Sequence, residues 1–235
     1  MTPQDIDRIL AQAANRIAPP DSDSAAIARA TASLPGSLAP VRPIRSPWLF
    51  VLLLVAAFAA ITLSGAAIFG IRGLPVLSIV RRAVIFPVIL AGAGIAAVAS
   101  AREMRPAGGT RISRVALAVA VLAPLAAFAL LFQDYDFRNF VPEGVRCLLA
   151  GLACAIPAGL VIFLLLRRGF ILDYRATGLA AGSLAGLAGI GMLELHCPIL
   201  KAPHIMFWHV AVVGISGIGG WLAGWIAERR RHLRV

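Results

Sequence analysis

Charge is what this sequence has least of. Soluble domains carry about a quarter charged residues, whereas Asp, Glu, Lys and Arg make up 14% of these 235 residues. So little charge cannot coat a globule, and hydrophobic residues reach 60% with a mean hydropathy of +0.86. The period-two polarity of a membrane barrel is missing too. No apolar leader with a cleavage site stands near the N-terminus, so the opening polar residues are expected to stay attached. Nucleophile elbows, glycine-rich phosphate loops and paired zinc-ligand helices are all lacking. Nor do the apolar runs carry acids or bases at their middles, which ion-coupled transporters generally need. These absences exclude a soluble domain and a barrel, and they weigh against an enzyme.

What is present is apolar runs of membrane length. A bilayer core about 30 Å thick takes roughly 20 apolar residues to cross. Six stretches reach or approach that length: Trp48–Ile71, Ala83–Ala101, Val115–Phe132, Gly144–Leu166, Thr177–Leu195 and Phe207–Ala227. Inside lipid each backbone donor and acceptor must be paired within the segment, so the runs are helices. The expected fold class is all-α, a polytopic bundle of six transmembrane helices over residues 47–228. A short cytoplasmic N-terminal tail (1–46) precedes it, and a basic cytoplasmic end (229–235) follows.

Cations set the orientation. With the N-terminus inside, the inner segments hold sixteen arginines and the outer ones six cations, Arg72, Arg81, Arg82, Arg138, Arg146 and Lys201. Both ends are therefore expected in the cytoplasm. The first outer loop, with three arginines and no acid, is expected to pair with Asp134, Asp136 or Glu143. The net charge of +11 then follows from topology and from attraction to anionic lipids of the bilayer. No DNA-reading motif accompanies it, so direct nucleic-acid binding is not expected.

The tail opens on Thr2-Pro3-Gln4-Asp5, a helix start with a capping hydroxyl, a first-turn proline and an acid. Ile6, Ile9, Leu10, Ala13 and Ile17 recur at helical spacing and make one apolar stripe. Pro19-Pro20 ends that helix. A weaker helix is expected within Ser24–Leu34, then a proline-rich linker to Pro47. A helix this short is marginal alone in water, so its stripe needs a surface. Bilayer-seeking helices carry lysines and bulky aromatics. This one has neither, which favours a protein partner for the five stripe residues.

Gly178, Gly182 and Gly186 stand four apart on the fifth run, with Gly220 and Gly224 on the last, a spacing that lets helix backbones approach closely. Packing within the bundle is the first reading and a homodimer the second. Pro124 and Pro157 are read as kinks.

Three of the four histidines and one of the three cysteines fall between residues 196 and 209. His196, Cys197, His204 and His209 are candidate ligands for zinc or copper, which suit imidazole and thiolate. On an α-helix, residues five apart point about 140° apart, so His204 and His209 would need the loop to fold back. The competing reading is hydrogen bonding at the membrane interface beside Trp208. Cys147 and Cys154 are separated by about 10 Å along one helix, beyond the roughly 7 Å that a disulfide allows between Cα atoms. Cys147 and Cys197 stand at the outer ends of neighbouring runs; if those runs lie side by side, the two can pair or present two thiols to an oxidant or a metal, the competing reading of Cys147 being an apolar filler. Cys154 is an apolar filler.

The segment Gly186-Leu187-Ala188-Gly189-Ile190-Gly191-Met192-Leu193-Glu194, with Leu195-His196-Cys197-Pro198 and the following His204 and Trp208-His209, resembles the negative regulators of sigma F. The tail of about 45 residues and the six spans fit the same family. That resemblance implies a bacterial inner-membrane anti-sigma factor. Its tail would hold an extracytoplasmic-function sigma factor, and its outer cysteines, Cys197 in the motif and Cys147 by topology, would sense metal or oxidative stress. No cofactor is expected, a metal ion entering only as a signal. The tail has neither His nor Cys, so release would not work through metal capture there. A small-molecule or metal transporter with an outer His/Cys cluster is the alternative, separable by uptake in vesicles. A purely structural membrane partner is a third.

Overall fold

The computed structural model describes residues 46–102, 110–167, 171 and 173–232, with backbone alone for Pro47, 110–114 and 231–232, together with Asp5, Arg8 and Ala32. Two compact units emerge, Met1–Pro43 and Ile44–Val235. In the first, Asp5, Arg8 and Ala32 are helical, inside the two segments where the sequence predicts helices. The stripe Ile6, Ile9, Leu10, Ala13 and Ile17 lies outside the described residues.

The described part of the second unit is built of helices and connecting loops, with no strand among the described residues. Helix α1 (Pro47–Phe69) is followed by a short turn of helix, α2 (Gly73–Val76), then α3 (Ile79–Arg102) and α4 (Thr110–Leu131). Next come α5 (Phe140–Leu166), α6 (Tyr174–His196) and α7 (Ala202–His204). A π turn (Ile205–His209) leads into α8 (Val210–His232). Five helices are long and apolar enough to cross a membrane: Trp48–Phe69, Ile79–Arg102, Phe140–Leu166, Tyr174–His196 and Ala202–Arg230. The sequence predicts six such spans. The remaining one is met by a shorter apolar stretch, Val115–Leu131 in α4.

Helix α6 is the hub. Its apolar window is 78% buried, against 22–44% for the other four spans, and α1, α3, α5 and α8 pack around it. Leu184, Leu187 and Ile190 of α6 join Leu54 and Phe58 of α1, Ile85 and Ile89 of α3, Phe128 of α4 and Ile162 of α5 in one core. The perimeter is the reverse of a soluble protein's. Leu52, Ile68, Leu90, Leu130, Leu160, Phe163 and Ile218 all face outward, an apolar belt that water would not tolerate but lipid does. At its start α6 is capped by Asp173, whose Oδ1 accepts the backbone N–H of Arg175 (3.0 Å) and Ala176 (2.9 Å). Such a cap contributes about 1 kcal/mol.

The glycine stripe is used inside the bundle. A Cβ at Gly178 would overlap the Gly220 carbonyl, and one at Gly182 the Ser216 carbonyl, while one at Gly224 would meet the Tyr174 carbonyl. The α6 and α8 backbones are thus in contact, and α8 occupies the face on which a homodimer reading rested. Alanine normally suits a helix better than glycine by about 0.5–1 kcal/mol. At Gly182 that gain is outweighed by overlap with backbone that cannot swing aside, a cost at the upper end of the about 1–3 kcal/mol typical of overpacking. Gly182→Ala should therefore lower the unfolding midpoint of the detergent-solubilised protein. Gly219→Ala, where no atom lies within 4 Å, should leave it unchanged or raise it. Equal shifts would contradict the seam.

The arginines of the first loop do not pair with acids as the sequence reading expects. Helix α3 begins earlier than predicted and takes Arg81 and Arg82 into its first turn. Arg81 Nε donates to the Leu131 carbonyl (3.3 Å) and its guanidinium lies 4.6 Å over the Phe132 ring. Arg82 Nε donates to the Leu77 carbonyl (2.8 Å), and Arg72 Nη2 to that of Phe69 (3.5 Å). Carbonyls left over where helices end offer nearer acceptors than the acids of another loop.

Candidate functional site

The loops 70–78, 132–139 and 197–201 meet at one end of the bundle. Asp136 organises them. Its carboxylate accepts the Arg138 backbone N–H at 2.9 Å and lies 3.1 Å from Lys201 Nζ. Lys201 also donates to the Arg138 carbonyl (3.0 Å), and Ala202 N–H to that of Asp134 (2.7 Å). The Arg138 N–H and the Lys201 ammonium hold the Asp136 carboxyl down at about 2. A lowered acid pKa means that the clamp is fully charged above the ordinary carboxylate range and is lost only as pH falls through about 2. Mild acid therefore leaves it closed.

Behind this clamp sits a buried cluster. Cys147 lies two turns into α5, Cys197 caps the end of α6, His204 closes α7 and His209 ends the π turn. The thiols of Cys147 and Cys197 are 3.4 Å apart, and Cys197 Sγ is 3.5 Å from His204 Nε2. The His204 and His209 rings meet edge to face with centroids 5.4 Å apart. One ligand-capable atom from each of the four residues falls within 4.8 Å of every other. Glu194, 2% exposed, accepts the Nδ1–H of His209 at 2.7 Å.

The π turn is what makes this possible. An i→i+5 hydrogen-bonded turn stacks residues five apart, as an α-helix stacks those four apart. His204 and His209, which α geometry would splay, are brought onto one side. Two close fits seat the turn. A Cβ on Gly144 of α5 would collide with the Trp208 indole, and one on Gly73 of α2 would lie 2.5 Å from the Cys197 carbonyl. Among the described residues three buried polar side-chain atoms have no partner: His204 Nδ1, Trp208 Nε1 and His209 Nε2. All three belong to the segment that forms the site, and such atoms are rare in native proteins.

Of the residues singled out by sequence, Cys147, Cys197, His204 and His209 come together and His196 does not. His196 Nδ1 donates to the Gly70 carbonyl (2.9 Å), and its ring stands edge-on to Phe69, with centroids 5.8 Å apart. It turns toward the end of α1, away from the thiols. Cys154 lies deeper, where its sulfur touches the carbonyls of Ile61 and Ala188 at 3.8 and 3.9 Å. Glu194 is the residue that sequence reasoning missed as part of the site. Its signal was an acid in an otherwise apolar glycine-rich run, a placement that demands a buried partner.

The two facing thiols make a direct prediction. Their sulfurs must close by about 1.4 Å to reach the S–S bond length of about 2.05 Å. The full-length protein holds three free thiols, and mild oxidation in detergent should leave one, Cys154, with no change in oligomeric size. Loss of all three, or of none, would contradict the juxtaposition.

Among the described residues the buried carboxyl and imidazole groups, Glu194, His204 and His209, gather at one end of the helical bundle rather than along a path through its middle. The profile of the negative regulator of sigma F family (NrsF) matches residues 34–229, and the chain belongs to that family. It is thereby an anti-sigma factor, and its partner is a sigma factor. No curated protein and no solved structure matches the chain. The matched region covers the whole bundle and the linker before it, and leaves out the apolar stripe of the tail.

Proposed function

We propose that this protein holds an extracytoplasmic-function sigma factor at the bacterial inner membrane through its N-terminal tail. Stress sensed by Cys147 and Cys197 at the outer face releases it. The observation that carries the reading is a pair of thiols fifty residues apart in sequence and 3.4 Å apart in space, in a chain of the anti-sigma family. In this reading α4 is the sixth span and both termini are cytoplasmic, as the excess of arginine on the inner segments supports.

The tail supplies the grip. Ile6, Ile9, Leu10, Ala13 and Ile17 present an apolar stripe that a groove in a soluble partner can cover. The outer thiols supply the trigger. Hydrogen peroxide takes two electrons and two protons from the thiols, forming the disulfide and two waters. The thiols lie at the end of the bundle away from the start of α1. Helix α1, which continues from the tail, packs on α6 through Thr62, whose hydroxyl donates to the Ala188 carbonyl (3.3 Å), and α6 ends at Cys197. In this reading a shift at that end passes along these packed helices to the start of α1, which the tail precedes in sequence. It alters sigma binding only to the extent that the tail binds differently in the two packings.

The test is co-purification of the full-length protein with extracytoplasmic-function sigma factors from membranes. Retention of one such factor by the native chain, lost on Ile6→Asp with Leu10→Asp, supports the reading. Retention unaffected by the tail substitutions would move the binding surface elsewhere. A transporter finds no support in the bundle: among the described residues the buried titratable groups other than thiols are Glu194, His204 and His209, all at one end.

A further inference from the structure

We infer that Cys147, Cys197, His204 and His209 form a Cys2His2 centre for zinc, with Glu194 as the positioning residue that fixes the ligating tautomer of His209. The inference shares its two cysteines with the function proposed above, and rests on that reading only for what the site is used for.

Geometry is the first ground. Zinc binds thiolate at about 2.3 Å and imidazole at about 2.0–2.1 Å, so neighbouring ligand atoms of a tetrahedral site stand about 3.3–3.8 Å apart. The sulfur–sulfur distance of 3.4 Å and the sulfur–nitrogen distance of 3.5 Å already lie in that range. No ligand atom is further than 4.8 Å from another, so closure asks for about 1 Å of side-chain movement. The second ground is the His209 ring. Its Nδ1 proton is committed to Glu194, which leaves a lone pair on Nε2. That nitrogen is without a partner, on a residue 1% exposed. Carboxylate–histidine–metal relays place the groups in this order, and the carboxylate raises the basicity of the ligand.

Donor chemistry selects the ion. Two sulfurs and two imidazoles in tetrahedral array suit zinc, whereas magnesium and calcium require oxygen. Loading exchanges two thiol protons for the cation, so two thiolates balance a divalent charge where solvent is scarce. Four protein ligands leave no open position, the mark of a structural or regulatory site rather than a catalytic one. The neighbouring architecture serves the same end. The π turn aligns the two histidines, Gly144 admits Trp208 behind them, and the Asp136–Lys201 clamp holds the loop that carries Cys197.

The test uses the full-length protein purified in detergent, with zinc content measured directly and cobalt exchanged into the site. The expected result is one zinc per chain. The cobalt form should show the intense visible bands of a tetrahedral ion and a thiolate charge-transfer band. Cys147→Ser with Cys197→Ser should abolish both, and His204→Ala with His209→Ala should abolish tetrahedral binding. Glu194→Gln should keep the spectrum and weaken affinity about 10–100-fold, a readout that mere loss of folding would not produce. A native protein that gives cobalt only a weak octahedral spectrum would overturn the inference. So would a tetrahedral spectrum that persists without the two cysteines. The sigma factor is not read in this experiment, and Ile6→Asp with Leu10→Asp leaves the spectrum intact. Failure of the metal centre and failure of the anti-sigma reading are therefore told apart.

Discussion

Replacing Ile6 and Leu10 with aspartate should free the sigma factor and raise transcription from its promoters to the level seen without the regulator. Burying an Ile or Leu side chain contributes about 1.5–3 kcal/mol. Removing two from one stripe therefore costs about 3–6 kcal/mol, before any charge is forced into an apolar groove. At 1.4 kcal/mol per factor of ten, affinity should fall by about a hundred- to ten-thousand-fold. Tethering compensates for little of this, because it multiplies effective concentration only for contacts that still form. Arg8→Gln and Asn15→Ala, opposite the stripe on the same predicted helix, should leave repression in place. A reporter gene driven by the sigma factor, read alongside the amount of protein in the membrane, measures all four substitutions. Full repression by the aspartate variant at normal abundance would remove the stripe from the account.

The second large effect is expected at the other end of the bundle. Cys147→Ser with Cys197→Ser should repress normally yet fail to respond to thiol oxidants, reducing induction to background. Each single substitution should do the same, since one thiol cannot form the pair. The argument is energetic as well as geometric. Moving a two-state protein from almost wholly repressing to almost wholly released takes about 5.5 kcal/mol of preference for one state. A covalent bond between Cys147 and Cys197 penalises by several kcal/mol a packing whose geometry it does not fit, whereas rearranged hydrogen bonds contribute only about 1 kcal/mol each. Cys154→Ser should respond like the native protein, because its sulfur faces the Ile61 and Ala188 carbonyls and no second thiol. Induction that survives loss of both Cys147 and Cys197 would place the sensor elsewhere.

Much of this arrangement is written in the sequence, and the part that is not has physical reasons. Apolar runs of bilayer length are read directly, because lipid forces each to be a helix whatever surrounds it. Topology places Cys147 and Cys197 at the same end, and their approach then depends on α5 and α6 being neighbours, which the structure shows. Membership of the cluster does not. His196 adjoins Cys197 in sequence and yet belongs to the Gly70 carbonyl, since the chain leaves α6 at that point and adjacent side chains diverge. His204 and His209 have the wrong spacing for an α-helix and the right one for a π turn, and nothing in Ile205-Met206-Phe207-Trp208 announces an i→i+5 bond. The indole seated on Gly144 is a long-range fit that no local pattern carries. Glu194 stood in plain view, an acid in an apolar run, and a buried acid is itself a sign of a partner. The first-loop arginines mislead for a different reason: their acceptors are backbone carbonyls at helix ends, which composition does not display.

The central claim joins the two ends of one molecule, and sigma retention measured before and after oxidation tests it most directly. The full-length protein would be reconstituted in lipid with its sigma factor bound, then treated with peroxide. The account predicts release from the native protein, reversal by a reductant, and no release from the Cys147→Ser, Cys197→Ser variant. Equal retention by the oxidised native protein and the variant, with the disulfide shown to have formed, would contradict it.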